Sequence, residues 1–152
     1  MSAEEGAARD QIRELIGAYA HFGDSGRFRE LCALFAPDAV LELDEERTLR
    51  GPDAILAFLE STRTSLRADA ERPLIRHHVS SIRIVIDGPD AAHGGAYFFV
   101  VTQRGPDHWG RYRDRYVRTP DGWRFAHRRV RLDGTAPGSW AAAARARRGQ
   151  SS

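Results

Sequence analysis

The sequence HWGRYRD spans residues 108–114, and DGWRF follows it at residues 121–125. Both segments are rich in aromatic residues, which favour β-strands. The stretch between them includes TPDG at residues 119–122, whose Asp-Gly pair favours a tight hairpin turn. The two segments therefore predict neighbouring antiparallel strands over residues 108–118 and 123–132.

Successive side chains of a strand point to opposite faces of its sheet. The first of these strands then has Tyr112, Asp114 and Tyr116 on one face and arginines at positions 111, 113 and 115 on the other. We expect the tyrosine face to form a pocket wall and the arginine face to lie outside. We also expect Trp123 and Phe125 to pack in the interior of the domain. Arg111 or Arg128 is expected to pair with acidic neighbours.

Apolar residues recur at helical spacing in three places. The first helix includes Ile12 to Tyr19 and ends near residues 21–23, and the second runs from Phe28 to about Ala36. The third begins at residues 51–53, where Pro suits the first turn, and continues to residue 66. Cys32 lies within the second pattern and is expected to be a small buried apolar residue.

Strands are predicted over residues 40–43, 76–86, 91–103, 108–118 and 123–132, with a polar loop at residues 67–73. Helices that precede an antiparallel meander define an α+β fold. Ile82, Ile84 and Ile86 alternate with more polar residues and give the sheet one apolar face. A long twisted sheet of this kind is expected to curve around the helices and leave an apolar hollow.

The composition is that of one globular domain, with 152 residues of which 41% are hydrophobic. We expect a flexible N-terminus over residues 1–10, a domain over residues 11–133 and an Ala/Arg-rich tail over residues 134–152. In that tail a weak helix precedes disorder, and Trp140 folds over the mouth of the hollow or onto a neighbouring molecule.

The 23 basic and 21 acidic residues are interleaved, which argues against a nucleic-acid partner. No apolar run has the length of a membrane span, so a cytoplasmic protein without a membrane partner is expected.

Polar groups in an apolar hollow are costly unless they are paired, so titratable residues on inward faces are candidates for function. The candidates are Tyr19, His21, Asp24, His77, His78, Tyr97 and Tyr112. Structural roles are also open for two of them, because Tyr19 suits a core aromatic and Asp24 suits a helix cap. The spacing of histidine, cysteine, serine and glycine matches no metal site, nucleophile elbow or phosphate loop, so neither a metal nor another cofactor is expected.

His77 and His78 are adjacent on a strand, so only one of them can face the hollow. Simple alternation from Ile82, Ile84 and Ile86 turns His78 inward. A β-bulge would reverse that parity and turn His77 inward instead. Both alternatives stay open here, with His77 ranked first.

From about residue 11 to residue 133 the order of these segments resembles the SnoaL-like branch of the NTF2-like superfamily. Its relatives include polyketide cyclases, scytalone dehydratase, bile acid 7α-dehydratase and the small subunits of ring-hydroxylating dioxygenases. The resemblance implies an NTF2-like cone, with three N-terminal helices packed on a curved, mostly antiparallel sheet. It also implies a homodimer or higher homo-oligomer, formed through the outer face of that sheet.

The resemblance extends to three residues of the site. In the bile acid dehydratase pattern, a tyrosine of the first helix is followed five residues later by an aspartate, and a histidine on a strand completes the set. Tyr19, Asp24 and His77 match that spacing and order, and scytalone dehydratase pairs an aspartate and a histidine at positions similar to the last two. The resemblance therefore implies that Asp24 orients the imidazole of His77, which transfers a proton.

The sequence departs from both dehydratases on the next long strand, where each has a further acid or base. The corresponding position is about Ala96, and alanine cannot transfer a proton. Scytalone dehydratase also has tyrosines where this chain has Gly23 and Leu43. Tyr97, Tyr112 or His78 could supply the missing donor.

These observations predict a cofactor-independent lyase, isomerase or cyclase that acts on a small, largely apolar metabolite in an enclosed cone pocket. His77 is expected to be the base, Asp24 its orienting partner and Tyr19 a hydrogen-bond donor. The residues expected to contact the substrate are His78, Tyr97, Tyr112, Phe98 and His21. The alternative is a non-catalytic small-molecule-binding protein or a dioxygenase small subunit, which would associate with a large Rieske-iron subunit.

Overall fold

The structure is a computed structural model that describes residues 1–44, 47–68 and 74–149. The elements are α1 (Ala3–Asp24), α2 (Phe28–Cys32), β1 (Phe35–Leu43), β2 (Arg47–Arg50), α3 (Gly51–Ala68), β3 (Arg76–Ile86), β4 (Ala91–Thr102), β5 (Gly105–Thr119), β6 (Gly122–Thr135) and α4 (Trp140–Gly149).

The strands form one six-stranded sheet in the order β2-β1-β6-β5-β4-β3. Neighbouring strands are antiparallel except β1 and β6, which are parallel. Helix α1 packs on β3 and β6, and α3 packs on β1. The predicted α+β fold, with helices on a curved and mostly antiparallel sheet, is confirmed.

Helix α1 begins at Ala3, within the segment that we expected to be flexible. Its start is a capping box, in which the Ser2 hydroxyl accepts a hydrogen bond from the Glu5 N–H and the Glu5 carboxylate accepts one from the Ser2 N–H. These two contacts satisfy backbone donors that a frayed helix start would leave to water. The helix is therefore longer than its apolar spacing indicated.

Strand β1 begins at Phe35, where we expected the second helix to continue to about Ala36. The helical prediction was wrong because residues distant in sequence supply the backbone partners. Phe35 is opposite Phe125 of β6, and the Phe125 N–H donates to the Leu34 carbonyl at 2.9 Å. The short strand β2 was missed altogether, and part of the loop predicted at residues 67–73 lies outside the described residues.

Strand β3 contains a bulge, at the point where its pairing with β4 shifts register between Ser80 and Arg83. Ser81 has a φ of 51°, in the left-handed region that few non-glycine residues adopt. The bulge changes which residues face the helices. His77 and Val79 face inward before it, and Ile82 and Ile84 face inward after it.

The core lies between the inner face of the sheet and the helices. Its most deeply buried apolar side chains are Ile12, Ile16, Leu31, Leu41, Ile55, Val100 and Phe125. Cys32, Trp123 and Phe125 are buried as the sequence predicted. Burial raises the pKa of the Cys32 thiol to about 11, which disfavours the thiolate and thus a nucleophilic role.

Helix α4 occupies Trp140–Gly149 of the tail, where a weak helix was predicted. Its first turn is tied to the start of β5, because the Asp107 carboxylate accepts hydrogen bonds from the N–H groups of Trp140 and Ala141. The disorder predicted for the end of the tail concerns residues 150–152, which lie outside the described residues. Within the described part of the chain, each helix is too short or too polar to cross a membrane.

Candidate active site

Asp24 and His77 form a pair at the junction of α1 and β3. Asp24 is the last residue of α1, and its Oδ1 lies 2.6 Å from Nδ1 of His77. Its second oxygen, Oδ2, accepts a hydrogen bond from the backbone N–H of His77 at 2.8 Å. Because an ionised carboxylate only accepts hydrogen bonds, Nδ1 carries the ring proton and Nε2 is the nitrogen that can exchange a proton with a ligand.

This pair is shielded from water but is not sealed. The His77 side chain is 27% exposed and that of Asp24 is 12% exposed. Two contacts to one carboxylate fix both the backbone position and the ring orientation of His77. The arrangement is the one expected of an imidazole that is held ready for proton transfer.

The bulge in β3 determines which of the two adjacent histidines faces inward, a question that the sequence left open. His77 precedes the bulge and faces inward, whereas His78 is exposed on the other face. The ring centroid of His78 lies 6.2 Å from that of Phe99, which is also on the outer face. Strand parity thus turns the ring of His78 away from the inside of the cone, although the residue lines the open cleft beside His77.

A cleft of about 510 Å³ lies between α1 and β3 and includes both members of the pair. Its lining residues are Arg13, Ile16, Gly17, Ala20, His21, Asp24, Ser25, Arg76, His77, His78, Val79 and Ile82. His21 lines the cleft with a largely exposed side chain, and its contact with a ligand stays a prediction. The cleft is open to solvent, so the enclosed pocket expected from the sequence is not what the described residues form here.

Aromatic rings fill the space beneath the pair. Phe98 is buried, and its ring centroid lies 6.4 Å from that of His77 and 4.7 Å from that of Tyr112, on which it stacks. Tyr19 contacts Tyr112 edge-on at 6.1 Å. The rings of Tyr19, Tyr112 and Phe98 therefore form a continuous apolar layer that leads to His77.

Tyr97 does not belong to this layer. Its side chain is 60% exposed on the outer face of the sheet, next to Phe99 and across from Arg111. Alternation along β4 turns Phe98 inward and its two neighbours outward. Tyr97 therefore lies outside the cleft that contains Asp24 and His77, and its contact with a substrate stays a prediction.

A fully buried ion pair underlies the aromatic layer. Arg128 donates to both oxygens of Asp114, from Nε at 2.9 Å and from Nη2 at 2.8 Å. Its guanidinium carbon lies 4.3 Å from the ring centroid of Tyr19 and 3.9 Å from that of Tyr112. Both expected arginine pairs form, since Arg111 also meets Asp133 at 3.2 Å on the surface.

The ion pair bears on the protonation of the tyrosines around it. Burial raises the pKa of Tyr19, and the nearby Arg128 charge offsets part of that effect. Burial likewise raises the pKa of Tyr112 far above its ordinary value. Both phenols therefore stay protonated at neutral pH, which suits them to donate hydrogen bonds and not to act as bases.

A second imidazole–carboxylate pair, which the sequence did not reveal, lies next to the first. Nδ1 of His108 is 2.7 Å from Oδ2 of Asp107, and the ring centroid of His108 is 6.4 Å from that of His77. Across the sheet, His77 is opposite Val100 and Val100 is opposite His108. The dipeptide Asp107-His108 at the start of a predicted strand was the available signal.

Ala96 occupies the inner face of β4, as the sequence comparison indicated. It is 3% exposed and lies opposite Tyr112 of β5. Its methyl group packs in the same buried cluster as Phe98 and Val100. Ala96 thus contributes packing, and no titratable group, at this position of β4.

The fold and the inward Asp–His pair define a protein of the NTF2-like class. The family model described as SnoaL-like domain matches residues 4–129, so the chain belongs to the SnoaL-like family. An uncharacterised protein of Mycobacterium tuberculosis strain H37Rv is 27% identical over 135 residues, which cover 84% of this chain and 87% of the relative.

Solved structures show the same fold. A candidate scytalone dehydratase from Novosphingobium aromaticivorans superposes with a TM-score of 0.78 and 23% identity, over 90% of this chain and 91% of that chain. An NTF2-like protein with a cystatin-like fold from the same organism gives a TM-score of 0.73 with 27% identity, over 89% of this chain and 88% of that chain.

Proposed function

We propose that this protein is a cofactor-independent lyase, isomerase or cyclase that acts on a small, largely apolar metabolite by general acid–base catalysis. The observation that carries the proposal is the double contact of Asp24 with His77, at 2.6 Å to the ring and 2.8 Å to the backbone. Proton removal from carbon by an imidazole is easiest where a neighbouring group such as a carbonyl stabilises the negative charge that develops. We therefore propose a carbonyl compound or its vinylogue as the substrate class.

Each residue of the proposed site has a separate role. His77 takes the proton on Nε2, and Asp24 holds the ring and stabilises the imidazolium that forms. Tyr19 lies one ring layer deeper, beside Arg128, and remains a protonated hydrogen-bond donor. We assign it to the carbonyl oxygen of the substrate, where negative charge develops during proton removal.

The apolar side chains near the pair set the character of the substrate. Ile16, Val79 and Ile82 line the cleft, and Phe98 and Tyr112 form its nearest ring layer. Apolar walls select for size and for low polarity more than for particular functional groups. A bicyclic ketone is a suitable probe for such a site.

The test is deuterium exchange at the α-carbon of α-tetralone in D₂O, followed by proton NMR. The wild-type protein should accelerate exchange over buffer, and His77→Gln should lower the rate by at least about 100-fold, because general base catalysis contributes that much or more. His93→Gln is the matched control, since His93 makes a similar contact to Asp87 on the surface. The control should exchange at the wild-type rate.

Two results would speak against an enzyme. Exchange no faster than buffer, together with saturable binding of α-tetralone, would favour the non-catalytic binding protein. Equal rates of deuterium exchange in wild type and His77→Gln would show that His77 is not the base, whatever the overall activity.

We also propose that the outer face of the sheet pairs with a second copy of the chain. Tyr97, Phe99 and Trp109 expose 60%, 38% and 39% of their surface and lie together on this face. Clustered exposed rings of this kind are typical of interfaces. Light scattering after size exclusion should give the mass of a homodimer or higher oligomer, and Tyr97→Ser with Trp109→Ser should lower it. Co-purification of a Rieske-iron subunit would instead favour the dioxygenase small subunit.

A further inference from the structure

The cleft that contains Asp24 and His77 is a groove along one face of α1. The residues of α1 that line it are three or four positions apart, which places them in one row along the helix. They are Arg13, Gly17, Ala20 and Asp24. Helix α1 runs antiparallel to β3, because Asp24 contacts His77 at one end and Arg9 donates to the Ile84 carbonyl at the other. Arg13 therefore lies toward the end of the groove that is far from the Asp24–His77 pair.

The length of the groove follows from the geometry of the helix. Arg13 precedes Asp24 by eleven residues, so their Cα atoms are about 16 Å apart at the usual rise of an α-helix. The arginine side chain covers part of that distance. A ligand that reaches both His77 and Arg13 must therefore be elongated, with ends on the order of 10 Å apart. The cleft volume of about 510 Å³ is sufficient for such a molecule.

The middle of the groove is apolar and is kept open by a glycine. A Cβ atom at Gly17 would meet no atom of the described residues within 4 Å, so this position faces free space. Glycine inside a helix is less stable than alanine, and a ligand that packs against the α1 backbone gives a reason for its presence. Ile16, Val79 and Ile82 supply apolar walls on either side.

The far end of the groove is positively charged. Arg9 and Arg13 are one turn apart on α1, and like charges at this spacing repel each other. Arg13 pairs with Asp10 through one contact of 3.2 Å between side chains that are 53% and 81% exposed. Such a contact in water contributes little, so the other donors of the Arg13 guanidinium can bind an anion. Among the described residues that line the cleft, Asp24 has the one carboxylate, and His77 contacts both of its oxygens.

We propose that Arg13 binds a carboxylate of the substrate, so that the site takes elongated keto acids. The carboxylate and the reacting carbonyl are then at opposite ends of an apolar body. A carboxylate matches the planar fork of one arginine, and hydrogen bonds between such charged groups are stronger than neutral ones. The inference rests on the proposed function for the carbonyl end, where His77 acts. It makes Arg13 a specificity-determining residue.

Arg76 lines the opposite end of the groove, next to His77 in sequence. Its Nη1 donates to the Ile75 carbonyl at 2.8 Å. A carboxylate bound there would lie close to the carbon from which His77 takes a proton, and it would repel the negative charge that develops. The far end, at Arg13, is therefore the better position for the anion.

The test uses two probes that differ in charge. One is α-tetralone with a propanoate chain on its aromatic ring, para to the carbonyl, and the other is the corresponding propanamide. Calorimetry at low salt should show that wild type binds the acid about tenfold more tightly than the amide. Arg13→Gln should abolish this preference, Arg13→Lys should retain part of it, and Arg13→Glu should reverse it. Arg27→Gln is the matched control, since Arg27 pairs with Glu30 on the surface, outside the cleft, at similar exposure.

A second substitution tests the path between the two ends without changing charge. The leucine of Gly17→Leu would occupy the middle of the groove, so both elongated probes should bind about tenfold more weakly. Its melting temperature should be at least that of wild type, because leucine favours a helix more than glycine does. Gly6→Leu is the control, because Gly6 lies in the same helix with similar free space but does not line the groove.

The outcomes separate this inference from the proposed function. Equal affinity for the acid and the amide in wild type, or a preference that survives Arg13→Gln, would overturn the role of Arg13. Loss of the preference in Arg76→Gln alone would place the anion at the wrong end and overturn it as well. Unchanged binding in Gly17→Leu would contradict the path along α1. A preference that depends on Arg13, without any deuterium exchange of α-tetralone, would overturn the proposed catalysis and leave the carboxylate site in place.

Discussion

Two aspartate–histidine pairs lie at opposite ends of β3, and they differ in burial more than in geometry. His77 contacts Asp24 through Nδ1 at 2.6 Å, and His93 contacts Asp87 through Nδ1 at 2.8 Å. The side chains of the first pair are 27% and 12% exposed, whereas those of the second are 49% and 42% exposed. A contact of this kind in water contributes little, because solvent competes for both partners. The same contact therefore makes a candidate site only where the fold removes most of the water.

The two pairs also differ in what holds them together. Asp24 and His77 are 53 residues apart, and Asp24 additionally binds the His77 backbone. Asp87 and His93 are six residues apart and follow from one turn between neighbouring strands. The first pair therefore forms only when α1 packs on β3, whereas the second pair forms from local structure alone.

Removing the charge from the most deeply buried carboxylate should have the largest effect. Asp114 is 1% exposed, and Asp114→Asn leaves the guanidinium of Arg128 without its counter-charge inside the core. We expect a loss of about 3–5 kcal/mol in the free energy of unfolding, measured by urea denaturation. A loss below about 1 kcal/mol would mean that burial is not what distinguishes the pairs.

Asp107→Asn should have the next largest effect. Asp107 is 6% exposed and caps the first turn of α4, and asparagine has one acceptor oxygen where the carboxylate has two. We expect a loss of about 1–2 kcal/mol, with hydrogen exchange of α4 accelerated before that of the sheet. Ser139→Ala should loosen α4 as well, because it removes one donor to the carboxylate and also the hydroxyl that accepts from the Ala142 N–H. Equal protection of α4 in wild type and Asp107→Asn would contradict the capping role.

Asp24→Asn should lower stability by only about 1 kcal/mol, because one oxygen remains to accept from His77. Its effect on catalysis should be greater, with deuterium exchange of α-tetralone about 100-fold slower, since the imidazolium loses its counter-charge. Asp87→Asn, at the exposed end of β3, should change stability by less than about 0.5 kcal/mol and leave exchange untouched. Similar effects of the two substitutions would break the distinction between these pairs.

The smallest effect should be a dependence of stability on pH through His108. Its pKa in the folded protein is lowered, mainly by burial, so the unfolded chain takes up a proton first on acidification. Stability from this group is present above the unfolded value of about 6.5 and is lost as the pH falls toward the folded value. Denaturation at several pH values should show this slope in wild type and its absence in His108→Gln. The stabilising contribution of Asp107 is present above pH 3.8 and is lost only below that value, because its pKa in the folded protein is lowered from 3.8.

Local patterns were sufficient for most of the fold. The strand predicted at residues 76–86 is β3, and the tyrosine face of β5 is buried as alternation indicated. The start of β1 was wrong because Phe35 pairs with Phe125, and helical periodicity carries no information on a partner 90 residues away. The elements whose positions follow from local spacing were thus predicted, whereas the start of β1, which depends on a distant partner, was not.

The same reason explains which parts of the site were predicted. Asp24 and His77 came from a family pattern, since the bulge that turns His77 inward has no clear sequence signal. His108 was missed because Asp107 is held by the start of α4, more than 30 residues further along the chain. Arg128 was expected to form an ion pair, but its complete burial depends on the register between β5 and β6.

The bulge at Ser81 divides β3 into two halves of opposite phase, because it adds one residue to a strand that otherwise alternates. If the same residues ran through this point without the bulge, alternation back from Ile82 would turn His78 toward Asp24 and His77 to solvent. Deleting Ser81 would instead remove the extra residue together with the bulge and leave His77 facing inward. The identity of the residue that faces a ligand thus depends on one irregular backbone position four residues further along the strand.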